Sequence, residues 1–225
     1  KQTNGKITDM LSEENRGYVC ALANAIYMKA DWVNKFEKEG TYKETFTDIN
    51  GDESEIDFMH QAADFQYYEN GDTKAVKLPY ENGLSMVVVL GDTKNILNDI
   101  HNNKMTSKLV DVSLPKFKAE YSIDYVNILK NMGIEKAFDY QNADFSLMLE
   151  NYPERIKIDF VLQKAMIDVD ERGTEAAAAT VALVTKSALS VDEEVIEFKA
   201  DKPFTYYILD DSGNVYFAGR YVKAE

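Results

Sequence analysis

Short runs of alternating or uniformly apolar residues follow one another closely along this chain, and most of them read as strands. Residues 18–32 are apolar on both faces, which predicts a long strand in the middle of a covered sheet. Residues 33–54 are polar and turn-rich, with "INGDE" as a turn. Three short strands are predicted at 56–61, 65–68 and 75–78, broken by "ENGD" and "YENG"; "LSMVVVLGD" then reads as a buried strand. Residues 93–104 carry Ile96, Leu97 and Ile100 at helical spacing, and 109–121 are extended with Pro115 interrupting. "SIDYVNILKNMG" predicts a helix capped by Ser122 and closed by Gly133. A long strand is expected at 156–169. Near the end come "VIEFKADKPF", "TYYILDD" and "NVYFAGRYV", the last two joined as a hairpin through Asp-Ser-Gly-Asn. Residues 1–12 read as a short helix or turn. The sum is one α+β domain over 1–225, with large, mostly antiparallel sheets and few helices.

Residues 171–194, "ERGTEAAAATVALVTKSALSVDEE", break the pattern. Alanine is the best helix former, so a surface helix is one reading. Alternate residues give another. Thr174, Ala176, Ala178, Thr180, Ala182 and Val184 are all small and uncharged. In a strand they would share one face, which could enter a sheet without burying a charge. The same face holds too little apolar bulk to anchor itself there.

Composition narrows the partners. The chain has 225 residues and a net charge of −14, with no Lys/Arg cluster, which disfavours nucleic acid and anionic membrane. No apolar run approaches a membrane span. The lone cysteine, Cys20, lies in "YVCALANAIYM" and reads as a buried, inert thiol. No N-glycosylation acceptor occurs. The opening "KQTNGKITDM" reads as a point inside a longer protein.

Signals for catalysis are weak. The two histidines, His60 and His101, fit no metal-ligand spacing, and His101 is expected at an exposed helix end. Nucleophile-elbow, Walker and dinucleotide motifs are absent. "DINGDE" lacks the alternating ligands of a calcium loop and reads as a turn. Trp32, the lone tryptophan, is expected in the core or at a sheet edge. Neither an enzyme, a metal site nor a cofactor is expected.

Specific motifs supply what the pattern does not. "DERGTEAAAAT" resembles the hinge of the reactive-centre loop of inhibitory serpins. "NAIYMKADWVNKF" with Thr41 and Phe46, "VKLPYENGLSMVVVLGD", "VSLPKFKAEYSID", "MGIEKAFDYQNADFS", "VLQKAMIDVDE" and "ADKPFTYYI" are similar to other segments of that family, in the same order. The resemblance covers nearly the whole chain and matches roughly the last three-fifths of the fold. It implies a serpin-like α+β fold whose N-terminal helical part precedes Lys1, with strand 18–32 then lacking much of its covering. Gln163 stands where the family usually has His, and its side chain hydrogen-bonds differently. Leu147, Thr205, Met28 and Ala30 are further departures.

The resemblance implies a suicide-substrate inhibitor of serine, and also cysteine, endopeptidases. Its exposed loop, about 171–194, would be cleaved and then inserted into the central sheet. The hinge would comprise Glu171, Gly173, Thr174, Glu175, Ala176, Ala177, Ala178, Ala179 and Thr180. Glu171 and Gly173 would form the pivot, and Asn24, Trp32 and Gln163 would line the region where the sheet opens. Family spacing places the reactive bond at Ser187–Ala188, and a loop one residue shorter would use Lys186–Ser187. The implied partner is an elastase-, subtilisin- or trypsin-like protease, together with the remainder of the fold before Lys1. The intact protein is expected as a monomer, and a secreted location is favoured over a cytoplasmic one. A non-inhibitory carrier or chaperone with the same fold is the alternative.

Overall fold

A computed structural model describes residues 20–148, 155–174 and 195–224. In chain order the elements are β1 Ala21–Tyr27, β2 Ala30–Asp31, β3 Thr41–Thr47, β4 Glu53–Asn70, β5 Thr73–Pro79, β6 Ser85–Leu90, α1 Ile96–His101, β7 Thr106–Pro115, β8 Phe117–Asp124, α2 Val126–Asn131, β9 Phe160–Asp170, β10 Gly173–Thr174, β11 Ile196–Lys199, β12 Phe204–Leu209 and β13 Val215–Tyr221. Single 3-10 turns occur at Lys38–Gly40 and Lys136–Phe138. Two compact units divide these residues, one of 29–118 with 168–174 and 195–224, the other of 20–28 with 119–148 and 155–167.

The first unit contains an eight-stranded sheet in the order β11-β7-β4-β5-β6-β12-β13, with β3 also on β4. The 18-residue β4 organises it. Its first part pairs with β3, its centre with β7 and its last part with β5, all antiparallel. β6 is covered on both faces, as its unbroken apolar run requires, and Met86 to Val89 are fully buried. β12 and β13 form the expected hairpin, with Gly213 at φ +83° in its turn. Phe117, Phe204, Tyr206 and Tyr221 pack ring against ring with centroids 5.1–5.8 Å apart. The end of β9 also belongs to this unit. There Gly173 and Thr174 of β10 pair antiparallel with Asp170 and Val169 on one side and with Asp31 and Ala30 of β2 on the other.

In the second unit β1 runs parallel to β9, with Asn24 opposite Gln163. β8 also pairs with β9. Asp124 ties α2 to this sheet: its Oδ1 accepts the N–H of Val126 and the N–H of Val161, each at 3.1 Å.

Several expectations change. The stretch 18–32 forms two strands, β1 and β2, and Ala21–Ala25 are exposed, Leu22 by 48%. The exposure of β1 agrees with the expectation that this strand lacks much of its covering in this chain. The runs at 56–61 and 65–68 are one strand, because β7 pairs continuously through "QAAD" where the alternation lapses. The polar region 33–54 contains β3, a strand with one buried side chain, Phe46, and too little alternation to register. Ser122 lies in β8 rather than at a helix cap, and Asp124 bonds the start of α2 instead. Cys20 is half-buried, not buried. The expected helix at 1–12 and the helical reading of the alanine run lie outside the described residues.

Candidate functional site

The segment singled out by its composition begins at the tight turn from β9 into β10, and that turn is held from several sides. Asp170 Oδ1 accepts the N–H of Arg172 at 2.9 Å and that of Gly173 at 3.3 Å, so the carboxylate folds the turn over itself. The carbonyl of Glu171 accepts the Phe36 N–H at 2.8 Å, and the carbonyl of Arg172 accepts the Trp32 N–H at 2.7 Å. Trp32 Nε1 donates to the Asp170 carbonyl at 3.0 Å. The indole is 1% exposed, stacks on Tyr80 at 4.2 Å and meets the edge of Phe36. Both the backbone and the side chain of Trp32 therefore clamp the turn.

Gly173 is required by shape as well as by conformation. Its φ is +147°, and a Cβ there would lie 2.1 Å from the Ala30 carbonyl oxygen and 2.7 Å from Asp31 Cα. Only a residue without a side chain lets β10 approach β2 so closely.

The buried charge of the site is Glu171, whose side chain is 8% exposed. Oε1 accepts the Thr41 hydroxyl at 3.0 Å and lies 3.0 Å from Lys116 Nζ. Burial opposes ionisation of this carboxyl. Its own backbone, Lys116 and Thr41 outweigh that and hold it below the usual carboxylate range. The turn thus rests on a charge-assisted contact that joins β3, the end of β7 and the end of β9.

Among the sequence-derived site residues, Glu171, Gly173, Thr174 and Trp32 come together in this unit. Asn24 and Gln163 face each other in register in the other. Glu175, Ala176, Ala177, Ala178, Ala179, Thr180, Lys186, Ser187 and Ala188 lie outside the described residues. Sequence reasoning gave no role to Lys116 or Thr41, which appeared only as letters of matching motifs. No cluster of three or more metal-ligating side chains occurs among the described residues, and no helix there is long and apolar enough to cross a membrane.

A family model described as serpin (serine protease inhibitor) matches residues 1–224. The chain belongs to the serpin family. It is 37% identical over 237 residues to an uncharacterised serpin-like protein of Thermococcus kodakarensis, covering 98% of this chain and 53% of that protein. It is 34% identical over 236 residues to serine proteinase inhibitor 2 of cowpox virus, covering 97% of this chain and 67% of the viral one. The crystal structure of the thermophilic serpin tengpin in its native state superposes with a TM-score of 0.84 at 30% identity, over 99% of this chain and 60% of that one. The chain therefore has the serpin fold and spans about half to two-thirds of the length of these serpins. Serpins are generally inhibitors rather than catalysts.

Proposed function

We propose that this serpin is a suicide-substrate inhibitor of serine endopeptidases, with residues 174–187 as the part of its loop that becomes a strand. The register of β10 carries the reading. Thr174 stands opposite Val169 on one side and Ala30 on the other. Extending the β9 register by six positions would bring Thr180 opposite Gln163. Asn24 and Gln163 are at present each other's partners. A strand continuing from β10 along β9 would displace Asn24 from Gln163. The composition suits such a path. Thr174, Ala176, Ala178 and Thr180 would share the inward face, and small uncharged side chains need little room, while Glu175 would point the other way.

In this mechanism the protease serine attacks the carbonyl of Ser187, or of Lys186 in the shorter register. The peptide bond to the next residue breaks, its amine leaves, and an ester links the loop to the enzyme. Insertion of 174–187 then adds a strand to the sheet and carries the esterified protease away from the site of attack. Distortion of the enzyme leaves the ester unhydrolysed, and one inhibitor is consumed per protease. A small residue at the cleaved position suits elastase- or subtilisin-like pockets, and Lys186 suits a trypsin-like pocket carrying an Asp. Cysteine endopeptidases, which also pass through an acyl intermediate, form a second target class. The inhibitor acts as a secreted monomer built from one serpin domain.

Thermal unfolding before and after loop cleavage by a non-target protease tests insertion. At about 2–4 °C per kcal/mol for a domain of this size, a newly paired strand raises the midpoint by more than about 10 °C. A cleaved protein that melts at or below the intact one sinks the insertion step and favours a carrier that keeps the fold without the switch.

A further inference from the structure

Asparagine followed by glycine is prone to modify itself, because glycine has no side chain to keep its nitrogen away from the asparagine amide. Four such pairs begin at Asn4, Asn50, Asn70 and Asn82. Asn4 lies outside the described residues, and the other three asparagines are exposed. The reaction needs the glycine nitrogen, and the three turns differ in how they use it. The Gly51 N–H donates to the Asp48 carbonyl at 3.1 Å, and the Asn50 N–H donates to Asp48 Oδ1 at 2.7 Å. The Gly83 N–H donates to the Tyr80 carbonyl at 3.3 Å, and Asn82 Oδ1 accepts the Leu84 N–H at 3.1 Å. Asn70 closes β4 and pairs with Thr73 across the turn at Gly71 and Asp72. There the glycine N–H donates to no acceptor among the described residues. A Cβ at Gly71 would meet nothing within 4 Å, so the nitrogen is free and its surroundings are open.

Asn70 is also the outer member of a polar chain that reaches the core. Its Nδ2 donates to the Tyr68 hydroxyl oxygen at 3.3 Å. Tyr68 donates its own proton to Asp99 Oδ2, and Lys104 Nζ lies 2.8 Å from Asp99 Oδ1. Asp99 belongs to α1 and is 6% exposed. Lys104 and Tyr68 hold its carboxyl below the usual range against the opposing effect of burial, so it is ionised and only accepts. Ile96 and Ile100 of α1 pack in the same apolar cluster as Tyr68. The chain from Asn70 through Tyr68 to Asp99 therefore joins the end of β4 to α1.

We propose that Asn70 is a deamidation site and that its conversion loosens the hold of α1 on β4. The Gly71 nitrogen loses its proton and attacks Cγ of Asn70. A bond forms between that nitrogen and Cγ, the bond from Cγ to Nδ2 breaks, and ammonia leaves. Water then opens the cyclic imide at either carbonyl and leaves aspartate or isoaspartate at position 70. Either product replaces an amide donor by a carboxylate, which only accepts. The Tyr68 hydroxyl, with a single proton, then stands between two carboxylates, and the new charge faces the buried charge of Asp99. Isoaspartate also lengthens the backbone by a methylene at the turn, which disturbs the pairing of Asn70 with Thr73. None of this depends on whether the chain traps a protease.

Incubation of the full-length chain at pH 8.5 and 37 °C, followed by peptide mass mapping, reads conversion at each asparagine. Labelling by an isoaspartate methyltransferase marks the isoaspartate product. Asn70 is expected to convert roughly five times faster than Asn50 or Asn82, the factor that one hydrogen bond on the glycine nitrogen is worth. Asn70→Gln, whose longer side chain does not close the same ring, is expected to end the reaction at this position. Equal or faster conversion at Asn50 or Asn82, or none at Asn70, overturns the site. Asn70→Asp tests the consequence by hydrogen exchange: the amides of Ile96–His101 are expected to exchange roughly threefold faster than in the unmodified protein. If that variant does not fold, the aged protein, separated from the unconverted form by its added charge, gives the same comparison. Equal exchange in α1 overturns the coupling to Tyr68 and Asp99.

Discussion

Lys116 Nζ lies 3.0 Å from Glu171 Oε1, a contact between residues 55 positions apart that pins the turn where the unusual segment begins. Removing either partner has a different cost. Lys116→Met strands a buried carboxylate with only Thr41 and its own backbone, and is expected to cost about 2–4 kcal/mol. Glu171→Gln keeps the shape and leaves a lysine that is already 36% exposed, at about 1–2 kcal/mol. Denaturant midpoints check the order. Equal costs would mean that the pair is solvated and contributes little.

Acid should undo the same contact. The carboxyl of Glu171 is held below its ordinary range, so its contribution is full above that range and is lost as pH falls through the lowered value. In Lys116→Met one of the groups holding it down is gone, and the loss begins at higher pH. Stability measured from pH 7 down to pH 3 gives the two curves, and coincident curves would contradict the assignment.

Gly173→Ala is expected to cost more than about 3 kcal/mol, since it combines a disfavoured φ with a clash against the Ala30 carbonyl. Gly71→Asn serves as the control. Gly71 is at φ +58° with open space where a Cβ would go, and asparagine tolerates that conformation, so the change costs under about 1 kcal/mol. A mild Gly173→Ala would show that β10 does not lie against β2.

Trp32 reports on the turn without modification. It is the only tryptophan, it is buried, and its Nε1 binds the Asp170 carbonyl. Its emission is expected to be blue-shifted in the intact protein and to change when cleavage draws the loop into the sheet. Trp32→Phe removes the bond to Asp170 as well as ring area, at about 2–3 kcal/mol. A spectrum unaffected by cleavage would place the rearrangement elsewhere.

Much of this was legible in the sequence. The β6 run and the β12–β13 hairpin follow from apolar runs and turn chemistry alone, and the motif around residues 170–180 marked the turn. Lys116 and Thr41 were not legible as partners of Glu171. The Thr41 contact joins residues 130 positions apart, and no local pattern encodes a pairing that only the folded sheet creates. β3 was hidden because an edge strand with one buried residue looks like a loop. His60 looked like an isolated histidine, since its partners are on other strands.

Thr180→Arg tests the register drawn from β10. In that register Thr180 replaces the Asn24–Gln163 pairing, and a buried guanidinium there has no partner. The variant should still be cleaved at the unmodified rate but trap less than about a tenth of the protease it meets. Undiminished trapping would show that the inserted strand takes another path.

The most direct test of the central claim is to mix the full-length protein with an elastase-like and a trypsin-like protease, and to separate the products on denaturing gels with mass analysis of the released peptide. The account predicts a band at the combined mass that survives denaturant. It also predicts a peptide beginning at Ala188, or at Ser187 if Lys186 is the cleaved residue. Complete cleavage with the protease left free and active would contradict it.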